Sequence, residues 1–259
     1  MFHWLTRRKR ARLLAEPFPE GWRTILQHEL GPWPTLEPAE RERLEGIVRV
    51  MLAEKRWQGC AGLELDDRIK LTIAGQAAML LLGLEHDYYP NVRDILVYPH
   101  TYTGGRPSQL DGGVVTQEPS QRLGEAWLRG PVVLSWDAAL QGARRPHDGH
   151  NVVYHEFAHK LDMLDGAADG VPPLEAPTDY PRWYRTMMKE YEALQRDLAR
   201  GRDGLLRPYG ASAPEEFFAV AVEVFFEQGA RLRREAPELY EVLQGYFRQD
   251  PAERRRQPG

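Results

Sequence analysis

The sequence holds a single cysteine, Cys60, among 259 residues, so no disulfide can form within the chain and a disulfide-stapled module is excluded. Gln58, Gly59, Ala61 and Gly62 flank that thiol and supply no base, which makes Cys60 a small packed side chain and not a nucleophile. Long apolar runs are also lacking. The longest, Ala77 to Leu84, falls far short of the roughly 18 residues a membrane-spanning helix needs. The basic cluster Arg7, Arg8, Lys9, Arg10 and Arg12 is followed only by Leu13, Leu14 and Ala15 before Glu16 and Pro17, too little for a secretory signal. Nor does one sign of charge dominate: 34 Lys+Arg stand against 38 Asp+Glu, a net charge of −4. A dedicated nucleic-acid binder needs a concentrated basic face, so that class is excluded. The expectation is a cytoplasmic, soluble protein with no membrane or direct nucleic-acid partner. An apolar content of 42% is enough for a real core.

What is present is mostly helical. From Pro38, Leu44, Ile47, Val48, Met51 and Leu52 repeat at three- and four-residue steps, as one buried stripe of a helix should. A second helix, Asp66 to Leu84, is apolar almost all round in its second half and so belongs at the centre of the core. After Pro90 come three short strand patterns at 95–98, 114–116 and 132–136, separated by Gly, Pro and Asp turns. Their brevity points to a small mixed or antiparallel sheet. Helices resume near Asn151 and continue to the end, broken by the Gly- and Pro-rich segment 165–181. The class is therefore α+β, mainly helical, with the whole of 1–259 as one domain. Residues 1–89 form a helical lobe, 90–251 the sheet and site-bearing helices, and 252–259 a frayed basic tail.

The informative segment runs from Asn151 to Asp162 and contains His-Glu-x-x-His as His155, Glu156 and His159. Chance alone gives this pattern in a shuffled chain with probability about 0.02. Val152, Val153, Phe157, Ala158 and Leu161 supply helical packing. Four residues make about one turn, so both imidazoles project from one face, close enough to share one Zn²⁺ ion. Glu156 stands next to them, where its carboxylate can take a proton from water polarised by the metal. A third ligand should come from another element. Ser212 and Glu215 have the spacing of a capping box, which leaves Glu216 and Glu223 on one face of a helix that is otherwise almost wholly apolar. A carboxylate there is costly unless paired or metal-bound. Glu216, near the helix start, is the better ligand, and Glu223 then takes a supporting role. Asp162 either orients a histidine or bonds the backbone of the following turn. The strand at 132–136 offers an edge for an extended peptide, and His147 and His150 read as surface histidines.

The segment His155 to Asp162, followed by Tyr209 to Val220, resembles the Mlc titration factor A family of zinc peptidases. Gly130 to Trp136 and the helix around Ile73 to Ala78 resemble it as well, so the likeness spans roughly residues 15–251. That family's core is in turn similar to the lethal-factor type of zincin. The resemblance implies that His155, His159 and Glu216 hold one zinc ion, that Glu156 is the general base, and that Tyr209 is the active-site tyrosine. It also implies aminopeptidase activity on peptide substrates, and a partner that is a transcriptional repressor controlling sugar uptake. The Gly-x-Met-Glu-Asn segment that other aminopeptidases use to hold the substrate ammonium is missing, so limited endopeptidase activity stays open. A regulatory protein that binds a repressor, with minor or latent peptidase activity, is the alternative.

Overall fold

The computed structural model describes residues 2–100, 130–145 and 147–254. The strand expected at 114–116 lies outside them. Helices α1 (Phe2–Ala15), α2 (Glu20–Glu29) and α3 (Pro38–Glu54) lead into strand β1 (Arg56–Gly59). Helix α4 (Asp67–Leu81) and strands β2 (Asp94–Tyr98) and β3 (Val132–Ser135) follow. The remainder is helical: α5 (Trp136–Arg144), α6 (Val152–Asp162), α7 (Tyr180–Ala199), α8 (Pro214–Glu227), α9 (Gly229–Glu235) and α10 (Pro237–Phe247). The α+β class with dominant helix is thus the observed one.

Local chemistry sets the helix starts. Asp66 caps α4 by accepting the Ile69 N–H at 2.8 Å, and Glu40 reaches back to the Glu37 N–H at 2.9 Å at the start of α3. From Leu71 to Leu81 every side chain of α4 is buried, as its apolar pattern requires. The helix packs against α2, α3, α5 and α6 and is the central post of the molecule.

The sheet has the order β1-β2-β3, and both pairings are parallel, with Trp57 opposite Ile95 and Ile95 opposite Val132. The mixed or antiparallel sheet expected from the short strands is therefore corrected for the described residues. Brevity says nothing of direction: α4 carries the chain across between β1 and β2, and such a crossover returns it parallel. The first strand, inside the segment expected to be wholly helical, is polar at Arg56 and Gln58 and only half-buried at Trp57.

The C-terminal segment closes onto the first third. A Cβ at Gly83 would meet the Phe247 carbonyl oxygen at 2.1 Å, so only glycine lets the end of α10 seat there. Gln249 donates to the Met79 carbonyl at 2.9 Å. Arg254, read in the sequence as part of a frayed tail, pairs with Glu40 at 2.9 Å and is 13% exposed; residues 255–259 lie outside the description.

Candidate metal centre

Helix α6 starts where Asn151 turns its side-chain oxygen back onto the Val153 and Tyr154 N–H groups, at 3.1 and 3.0 Å. Val152, Val153, Phe157, Ala158 and Leu161 are buried, and this packing leaves His155 and His159 to share the opposite side. Their rings lie 4.8 Å apart at 85°, with the two Nε2 atoms separated by 3.2 Å. The third group arrives from α8: Glu216 Oε2 is 3.0 Å from His155 Nε2 and 3.4 Å from His159 Nε2.

These distances test whether the residues fit a metal. Ligand atoms about 2.0–2.1 Å from a tetrahedral Zn²⁺ stand roughly 3.3 Å from one another. The three observed separations, 3.2, 3.0 and 3.4 Å, fit that edge length. Two imidazole nitrogens and one carboxylate oxygen form a nitrogen and oxygen donor set that leaves a fourth position open, which suits catalytic zinc better than a closed thiolate cage.

Glu223, two helical turns beyond Glu216 on the same face, has a different task. Its Oε1 accepts from His155 Nδ1 at 2.8 Å and from Arg207, while Oε2 accepts the Asn151 N–H at 2.7 Å. With Nδ1 carrying the proton, Nε2 keeps its lone pair for a metal. Burial opposes charge on His155, but the Glu216 and Glu223 hydrogen bonds raise its pKa to about 10. Glu216, despite burial, is held well below the usual carboxylate range by His155 and His159.

Glu156 is partly exposed, and its carboxyl is pushed up by burial against the opposing pull of both histidines. Tyr209 sits 5.8 Å from the His155 ring. Its hydroxyl is pushed up by burial and by the neighbouring Glu216 carboxylate, so it stays protonated and able to donate. The residue comes from a 3-10 turn, Pro208–Ala211, whose following Ser212 donates its hydroxyl to the Tyr209 carbonyl at 2.7 Å. Ser212 is the C-cap of that turn, and Ala213 is the N-cap of α8; the capping box expected of Ser212 and Glu215 does not form.

Asp162 takes the backbone role: its Oδ2 accepts the Gly170 N–H at 3.0 Å, and burial lifts its pKa to about 6. His147 is exposed and meets the Glu227 carbonyl at 3.3 Å. His150 is half-buried, within electrostatic reach of Arg207, Glu223 and His155, and burial lowers its pKa; it is not the surface histidine expected. Among the described residues strand β3 ends the strand order, and it packs against α6. Sequence reading missed Arg207 and the full part played by Asn151, which also donates to Gln76 at 2.9 Å and Glu227 at 3.1 Å. An amide just before a metal-motif helix is a cap signal, but its other partners are distant in sequence.

The chain is similar over most of its length to proteins of several bacteria. An uncharacterized protein of Synechocystis sp. is 40% identical over 250 residues, covering 96% of this chain and 90% of that protein. A protein named Mlc titration factor A from Edwardsiella ictaluri is 32% identical, covering 92% of this chain and 95% of its own length. Another of that name from Yersinia pestis is 31% identical, covering 97% and 90%. Residues 4–248 match the family described as glucose-regulated metallo-peptidase M90. A family match across nearly the whole sequence, together with a His-His-Glu cluster at metal-ligand spacing, places this chain in the M90 metallo-peptidase family.

Proposed function

We propose that this protein is a cytoplasmic zinc-dependent peptidase of aminopeptidase type, with 1–259 as a single active-site domain. The observation that carries the reading is the mutual spacing of His155 Nε2, His159 Nε2 and Glu216 Oε2 at 3.0–3.4 Å. These three residues would hold zinc, which when bound supplies Lewis acidity to the peptide carbonyl and to water. Glu156 takes the proton from the attacking water and passes it to the leaving amine; its raised pKa suits that two-way transfer. Tyr209 donates a hydrogen bond to the carbonyl oxygen as negative charge develops there. Glu223 holds His155 in one tautomer throughout. The edge of β3 is the place for an extended peptide backbone, and the aminopeptidase direction follows from the family resemblance.

The test is metal analysis joined to hydrolysis of amino-acid amides with and without chelator. One zinc per chain and loss of hydrolysis in Glu156→Gln with metal retained are expected. An active Glu156→Gln protein overturns the mechanism. A second reading rests on the name of the relatives: binding of a transcriptional repressor, with peptidase activity minor or latent. Capture of such a repressor by the Glu156→Gln protein, with no amide hydrolysis by the parent, would favour it.

A further inference from the structure

Among the described residues four large apolar side chains are exposed, and two of them, Tyr180 and Tyr184, line one corner. Tyr180, Tyr184, Pro181 and Val171 line a cavity of about 460 Å³ there, together with Asp165 and Asp169. Among the described residues both carboxylates bond only the N–H groups of their own loop, Asp165 to Ala167 at 3.0 Å and Asp169 to Val171 at 3.1 Å. Among the described residues no Lys or Arg lines the cavity. Tyr184 is 61% exposed, and an aromatic ring left in water beside uncompensated negative charge is the surface that a cationic side chain complements.

The corner is fixed to the candidate metal centre at two points. Asp165 follows His159 by six residues through the end of α6 and one 3-10 turn, a rise of roughly 9–12 Å. Gly170, between Asp169 and Val171, accepts from Trp183 Nε1 at 3.2 Å and is bonded to Asp162. A Cβ there would meet the Pro214 carbonyl oxygen at 2.6 Å, two residues before Glu216. The cavity is therefore tied to the ends of both helices that carry the candidate ligands. An extended peptide advances about 3.3–3.6 Å per residue, so it covers that span in about three residues.

The geometry points to the Tyr180–Tyr184–Asp165–Asp169 corner as a specificity pocket for a Lys or Arg side chain of the peptide, about three residues from the bond cut. The pocket deepens the peptidase reading and rests on it. The test compares cleavage of quenched-fluorescent peptides carrying Lys or norleucine two, three or four residues from the scissile bond. At one position Lys raises kcat/KM severalfold over norleucine. Asp165→Asn with Asp169→Asn brings that ratio to near one, because Asn keeps the loop bonds and removes the charge; Tyr184→Leu lowers it roughly two- to fivefold. The norleucine peptide is cleaved as before in all variants. A Lys preference that survives both changes, or none at any position, overturns the pocket and leaves the peptidase reading intact. In parallel, a labelled tetralysine peptide should bind the Glu156→Gln protein more tightly than tetraglutamate, with a preference abolished by the Asp165→Asn and Asp169→Asn changes. Binding of this kind without cleavage by the parent would refute the peptidase reading and keep the pocket; equal binding of the two peptides refutes the pocket.

Discussion

Replacing Glu223 by Gln isolates the one buried carboxylate that touches His155 without belonging to the donor triangle. The carboxylate accepts three hydrogen bonds, from His155 Nδ1, Arg207 and the Asn151 N–H. An amide has one oxygen, so whichever way it turns, its NH₂ faces a donor and at least one of these bonds is lost. A buried hydrogen bond to a charged group is worth about 1.5–3 kcal/mol, and outer partners of metal-bound histidines are worth roughly 10–100-fold in metal affinity. The same carboxylate also favours a proton on His155, raised to about 10, and relief of that competition offsets part of the loss. About tenfold weaker zinc binding is therefore expected at pH 7.5, or ~1.4 kcal/mol. Competition against a chromophoric chelator reads the affinity, and circular dichroism confirms the fold. A folded Glu223→Gln protein that binds zinc within twofold of the parent would refute the claim that this carboxylate orients the histidine for metal.

Tyr209→Phe removes the phenolic donor and keeps the ring beside His155; kcat should fall roughly hundredfold with zinc content unchanged, and an unaltered kcat would remove Tyr209 from the chemistry. Burial raises Glu227 to about 9 from an ordinary 4.5. The native state therefore binds more protons than the unfolded state between those values, and stability falls as pH rises through that window. Glu227→Gln should flatten this slope and leave the variant about 1–3 kcal/mol ahead of the parent near pH 9, read by urea unfolding from pH 5 to 9; parallel curves would contradict it. Gly170 has φ +78° and no room for a Cβ, so Gly170→Ala should cost about 1–3 kcal/mol in the same assay, and a neutral result would count against the tight seat on Pro214.

The grouping of the candidate site residues was more legible than the sheet. His155, Glu156 and His159 could be read because one helical turn fixes their relation, and Glu216 because a carboxylate opening an apolar helix needs a partner. The roles of Asn151 and Arg207 depend on partners 16 to 76 residues away, and no local pattern encodes them. Strand β1 escaped because Arg56, Trp57, Gln58 and Gly59 carry no alternating apolar face. Strand direction was misjudged because it follows from the path of α4 across the sheet, a property of the whole chain.

The seating of Phe247, Gln249 and Arg254 against Gly83, Met79 and Glu40 governs how this chain can be made. During synthesis at about 5–20 residues per second, Arg254 is joined to the chain roughly 10–35 s after α4 is complete. Through that interval α3 and α4 can form and pack on each other, while their contacts with Phe247, Gln249 and Arg254 are still missing. The N-terminal third therefore reaches its full packing only after Phe247, Gln249 and Arg254 have been made.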